Sequence, residues 1–353
     1  MSINYYVSRF FQPLVLVGVF LFGLAGCAIM DHQFPAPTRL VPVQGPPFAA
    51  GLMSPLGLAE DLKGNVWVTE AGSGTANNGR VSVITPSGTI YPVITGFPSA
   101  LSPENSPEGL NHLAYKDGKL YILHATVDKL FIADVAGFVP GVTPAVDANT
   151  IPSEDIGTFV KNARPNAPDA PDSNPYNLTF GPDGDLFIVD AGGNAIVRRK
   201  KSDGSLSIFA TFPDVTKPAS ITAGPPTLDA VPTGIVYDGT NFLVSTLTGF
   251  PFPPGLSRIY KVNAMGAAPV TPTIYKDGFS GLTDILLPPS GKPLVTEFGF
   301  STPGRIASGD DPATTLFSPA ITPVDIMLSN VNPDTYYVLY YGPGLILKFT
   351  ATN

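Results

Sequence analysis

The stretch NPYNLTFGPDGDLFIVDAGGN, residues 174–194, decides the fold because the chain repeats its pattern. Two apolar runs flank the turn residues Asp183 and Gly184, and the second run ends at Asp190 before two glycines. The same arrangement recurs as PLGLAEDLKGNVWVTEAG from Pro55, PEGLNHLAYKDGKLYILHA from Pro107 and PTGIVYDGTNFLVSTL from Pro232. It returns as LTDILLPPSGKPLVTEFG from Leu282 and PVDIMLSNVNPDTYYVLYYG from Pro323, making six copies in all. Gly, Asn and Asp tolerate positive φ, so each copy reads as a β-hairpin.

Further strand-like runs follow most hairpins: RVSVIT and TIYPVIT around PSG, AIVRRKK and SLSIFATF around SDG, SRIYKVN and PTIYK. A four-stranded antiparallel unit repeated six times is the signature of an all-β, six-bladed β-propeller. The last unit has only three strands, ending in LILKFT, and the segment RLVPVQ (39–44) is expected to complete it and close the ring.

Composition agrees. Apolar residues make 44% of the chain and charged residues 14%, with Gly 36 and Pro 39, which suits short strands and tight turns better than helices. A net charge of −8 argues against nucleic acid as a partner.

At the N-terminus Arg9 precedes the apolar run FFQPLVLVGVFLFG and then LAGC, ending at Cys27. The run is short for a membrane span and fits a signal peptide. LAGC resembles the bacterial lipobox, so Cys27, the only cysteine, is the expected lipidation site. The expected organisation is a signal peptide over 1–26, a tether over 27–37 and one propeller domain over 38–353. Ala28 after the cysteine implies, by resemblance to Gram-negative lipoproteins, an exported protein on the outer membrane, on its periplasmic or cell-surface side.

In such a ring the start of the first strand and the end of the second lie at one end of each blade. Glu70, His124, Asp190, Thr246, Glu297 and Tyr340 end second strands, and Glu108, Tyr176, Asn177, Thr233, Thr283, Asp284 and Asp325 open first strands. They are the expected ligand residues of the channel mouth. Glu70, Asp190 and Glu297 form an oxygen-rich set suited to Ca²⁺ or Mg²⁺. Each also has a plainer reading as a strand-end cap for loop amides. Arg164 is an alternative source of compensating charge, Phe250 and Phe252 are candidate pocket residues, and His112 reads as structural. The long connections 71–79, 161–175, 213–232 and 247–256 gather at the same end, where binding usually resides. No G-x-S-x-G, P-loop, G-x-G-x-x-G, H-E-x-x-H or EF-hand motif is present.

SNPYNLTFGPDGDLFIVDAGGNAIVR, VPTGIVYDGTNFLVSTLTGFPFPPGLSRIYKV and GFSGLTDILL resemble the ScyD/ScyE family, from about Gly51 to the C-terminus. The resemblance implies a secreted six-bladed propeller of the NHL or TolB-like kind, without fixing an activity. Asn177 departs from the family's usual glycine, and the lipobox is not a general family feature. The stretch GNVWVTEAG…GRVSVITPSGTI is similar to the repeat of streptogramin lyases. Gluconolactonase-type propellers hold a divalent ion through Glu, Asn and Asp opening successive inner strands. Glu108 matches the first, whereas Tyr176 and Thr233 stand at the next two. Two functions follow as expectations. One is a lipid-anchored envelope scaffold, monomeric, that binds a small molecule, glycan or protein. The other is a divalent-metal hydrolase or lyase working at the channel mouth.

Overall fold

The structure, a computed structural model, describes residues 35–352 except 164, 166–169, 223, 225, 301 and 302. Cys27, His32, the signal segment, most of the tether and Arg164 lie outside the described residues.

The opening stretch folds as expected. Strand A of blade 3, Pro175–Phe180, pairs antiparallel with strand B, Leu186–Asp190. The turn between them uses Asp183 at φ 60° and Gly184 at φ 74°, the left-handed conformation that Asp and Gly tolerate best. Strands C (Ala195–Arg199) and D (Leu206–Thr211) complete the blade. Every residue of strand B is buried. A blade has a neighbour on both faces, so its middle strand reads as a continuous apolar run rather than an alternating one.

Six such blades form the ring. Their inner strands are Pro55–Glu60, Leu110–Lys116, Pro175–Phe180, Pro232–Tyr237, Leu282–Leu286 and Pro323–Leu328. Each packs on the next and the sixth packs on the first. Apolar side chains fill the gaps between blades. Between blades 3 and 4, Phe187 and Phe242 lie with ring centroids 4.4 Å apart, and Phe209 meets both edge-on. Burying each such ring contributes about 1.5–3 kcal/mol.

The ring closes through the N-terminal segment, as the sequence implies. Arg39–Pro42 pairs antiparallel with Leu345–Thr352, from Arg39 opposite Thr352 to Pro42 opposite Phe349. Leu40 is fully buried beside Leu294, Ile306, Leu316 and Phe349.

Blade 2 departs from the simple repeat. Its connection over 135–152 sends Val146–Asp147 to pair in parallel with the outer strand of blade 1, Ile90–Phe97. Its own outer strand is left with three residues, Ser153–Asp155. The connection into blade 3, read as loop, begins with a short helix, Gly157–Ala163.

Candidate functional site

The inner strands share a four-residue opening: Pro or Leu, a variable residue, then Gly, His, Asn or Asp, then Leu or Ile. A β-bulge or register shift interrupts the pairing of all six strands at this opening, as between Pro175 and Asn177 or Pro232 and Gly234. A bulge re-aims the side chain at its extra residue. The variable residues Leu56, Asn111, Tyr176, Thr233, Thr283 and Val324 accordingly all line one pocket at the channel mouth. The Leu or Ile two positions on, from Leu58 to Ile326, each enter a different inter-blade core.

The pocket encloses about 240 Å³. Phe298, Phe300 and Tyr341 form one wall, the inner end of an aromatic run from the loops after strand B. Phe250 meets Phe252 at 5.9 Å, Phe252 stacks on Phe300 at 4.5 Å, Phe300 meets Phe298 at 4.7 Å, and Phe298 meets Tyr341 at 6.5 Å. Tyr341 reaches across the mouth, donating its hydroxyl to the Pro107 carbonyl at 2.9 Å. The opposite side carries Tyr176, whose ring lies 4.9 Å from His112.

Three polar side chains of the mouth are committed to the ring itself. Asn111 donates to the Pro175 carbonyl, Thr233 to that of Leu282 and Thr283 to that of Pro323, each at 2.9 Å and each on the next blade. Among the described residues Glu108 is the only charged one lining the pocket. Burial, reinforced by Glu104 and Asp172, raises its carboxyl above the usual range. It does not open strand A as the sequence implies. It sits in a small hairpin, Ala100–Leu101 with Pro107–Glu108, placed ahead of blade 2.

Beneath the mouth lie Gly57, His112, Asn177, Gly234, Asp284 and Asp325. The last two hydrogen-bond to each other. Asp325 accepts from the Leu58 amide at 2.7 Å, while Asp284 accepts from Asn177 at 3.1 Å and the Ile326 amide at 3.2 Å. Burial pushes Asp284 up to about 7, and burial beside Asp284 raises Asp325 well above the carboxylate range. His112 places Nδ1 3.2 Å from the Tyr176 carbonyl, which puts its proton on Nδ1, and Nε2 3.7 Å from Asp325. Burial lowers His112 to about 4, so it is neutral at neutral pH. This network ties blades 1, 2, 3, 5 and 6 together across the channel. His112, Asn177, Asp284 and Asp325 thus belong below the mouth.

The residues ending strand B do not join the mouth. Glu70 is buried and taken up by Arg80 (2.6 and 2.9 Å), Ser82 (2.6 Å) and the Met53 amide (2.8 Å). Glu297 is held by both arms of Arg305, at 2.7 and 2.8 Å, and Asp190 by Ser173 and the amides of Asn174 and Gly193. Burial still pushes Asp190 up to about 6. Thr246 exchanges hydrogen bonds with the backbone of Arg258, and Tyr340 is buried in the core around Val338. His124 contacts the Pro98 carbonyl between Phe97 and Phe131, lowered by burial to about 4.

Glu70, Asp190 and Glu297 therefore do not fit a shared Ca²⁺ or Mg²⁺ ion, because protein donors in their own blades occupy their oxygens. Among the described residues no three His, Cys, Asp or Glu side chains group as metal ligands would. Removing Glu70 leaves Arg80 and Ser82 without their acceptor. Glu70→Ala is expected to cost about 2–3 kcal/mol, read as a lower urea midpoint. An unchanged midpoint would contradict this structural role.

Of the residues the sequence singled out, Glu108, Tyr176, Thr233 and Thr283 line this pocket; Leu56, Asn111, Val324, Phe298, Phe300 and Tyr341 line it too and were not singled out. The shared [Pro/Leu]-x-[Gly/His/Asn/Asp]-[Leu/Ile] opening marks the first three of these, and FGF after Glu297 marks the phenylalanines.

No family model and no curated protein matches the chain. Among solved structures it is similar to a PQQ-bound aldose sugar dehydrogenase from Streptomyces coelicolor, at 14% identity over 90% of this chain and 100% of that one, TM-score 0.58. It is also similar to regucalcin, a calcium-binding protein from Agrobacterium tumefaciens, at 14% identity over 88% and 94%, TM-score 0.54. A streptogramin B lyase matches at 16% identity over 89% and 98%, TM-score 0.51. At these identities the likeness is one of fold: the chain is a six-bladed β-propeller with four-stranded antiparallel blades, an architecture shared by proteins of unlike chemistry.

Proposed function

We propose that this chain is a cell-envelope propeller of the ScyD/ScyE type, anchored through a lipid on Cys27, that binds a small and largely apolar molecule in its channel mouth. One observation carries the binding reading: six bulged strands each turn a side chain into a single aromatic-walled pocket of about 240 Å³. Pockets of this kind hold a ligand's apolar body while a few polar groups orient it. The phrase LTGFPFPPG, among the most specific parts of the family resemblance, supplies Leu247 to the pocket and Phe250 and Phe252 to the aromatic run. LAGC supports the anchor.

The pocket reading is tested with the neutral probe 2-naphthaleneethanol, titrated into the protein and into a Phe300→Ala variant. Phe300 is 45% exposed, so its loss leaves the core intact. The variant is expected to bind about fivefold to tenfold more weakly, the worth of a lost aromatic contact. Equal affinities would place the probe elsewhere. For the anchor, Cys27→Ser should move the chain out of the membrane fraction, and retention there would reject lipidation.

A further inference from the structure

We infer that the mouth selects an organic cation: a small amine or quaternary ammonium compound with an aromatic or aliphatic body. This inference rests on the pocket reading above and adds the charge of the ligand.

The carboxylates elsewhere show what Glu108 lacks. Glu70 has Arg80, Glu297 has Arg305, Glu154 has Arg199 and Asp185 has Arg198. The Glu108 carboxylate has no hydrogen bond or ion pair among the described residues, and no described Lys, Arg or His lines its pocket. Glu104 and Asp172 add negative potential instead of offsetting it. A half-buried carboxylate without a counter-charge is costly in an aromatic-walled cavity, and a ligand ammonium removes that cost.

The other polar groups cannot serve a ligand so readily. Asn111, Thr233, Thr283 and Tyr341 donate to backbone carbonyls that hold the ring together. Among the described residues Glu108 is left as the one charged acceptor. The aromatic faces of Phe298, Phe300 and Tyr341 share the pocket with it. Aromatic faces attract cations as well as covering apolar surface. An anion would meet three carboxylates, and a neutral ligand would leave Glu108 desolvated and unpaired.

Three probes with one ring and one two-methylene linker separate the possibilities: tryptamine, indole-3-propionamide and indole-3-propionate. Each is titrated calorimetrically at low salt into the full chain, Glu108→Gln and Phe300→Ala. Tryptamine is expected to bind at least about tenfold more tightly than the amide, with the propionate weakest. In Glu108→Gln the advantage of the amine should fall to about twofold while the affinity of the amide does not fall. An amide equal to the amine, or an advantage that survives in Glu108→Gln, would overturn the cation inference. If Phe300→Ala weakens the amide in either of those cases, the pocket reading stands without it. Affinities untouched by Phe300→Ala, or no binding of any probe, would overturn both.

Discussion

A chain that begins at Gly45, and so lacks the 39–42 strand, is expected to lose most of its stability relative to one that begins at Pro35. Four ladder pairs disappear and Leu40 leaves a fully buried position. The freed edge of Leu345–Thr352 is exposed along with Phe349. Losing a buried leucine alone costs about 2–5 kcal/mol, and the ladder hydrogen bonds add about 1 kcal/mol each. The total approaches the entire stability of a typical domain, about 5–15 kcal/mol. Aggregation through the open edge should follow. Trp67, the one tryptophan and 3% exposed, reports unfolding in urea. The shortened chain should show a strongly lowered midpoint or no cooperative transition. Leu40→Ala alone should cost about 2–4 kcal/mol. A midpoint unchanged by the deletion would mean that the ring does not depend on this closure.

The second large effect concerns pH. In the unfolded chain Asp284 and Asp325 titrate near pH 4. In the folded chain burial pushes Asp284 up to about 7, and Asp325 is raised by burial and by Asp284 beside it. Between about pH 4 and 7 the folded state therefore binds more protons than the unfolded state, and its stability falls as pH rises. The contribution of the pair is fully present below pH 4 and is lost as pH passes through about 7. Asp190, raised to about 6, acts in the same direction. A shift of this size corresponds to on the order of 3–4 kcal/mol. His112 and His124, lowered to about 4, act in the opposite direction up to their unfolded value near 6.5, so the fall in urea midpoint is expected from about pH 6.5 to pH 8. Asp325→Asn keeps an acceptor for the Leu58 amide and supplies a permanent donor to Asp284, so it should flatten the slope and raise stability at pH 8. The same slope in that variant would show that the pair does not share protons.

The hairpins were legible because turn chemistry and apolar runs are local signals, and six repetitions reinforce each other. Closure by residues 39–44 was legible from arithmetic: three strands in the last repeat and one extended segment before the first. The outer edge of blade 2 was not, because Val146–Asp147 carries no pattern that distinguishes pairing with blade 1 from pairing with its own blade. At the site, the sequence gathers the strand ends at one end of the ring, but it does not show which way each side chain aims. The bulge turns the second residue of strand A toward the axis, whereas the residue ending strand B faces its own blade. Arginines at the start of strand C in blades 1 and 5, Arg80 and Arg305, already marked where Glu70 and Glu297 would go. Tyr176, which matches no ligand expected of a metal-binding propeller, instead forms one side of an apolar pocket.

The most direct measurement is a crystal structure of the protein with tryptamine bound. The expected result places the indole in the channel mouth against Phe298, Phe300 and Tyr341, with its ammonium within hydrogen-bonding distance of Glu108, about 2.7–3.2 Å. An indole bound away from the mouth would contradict the assignment of the ligand site. An indole in the mouth whose ammonium points away from Glu108 would contradict the charge selection assigned to it.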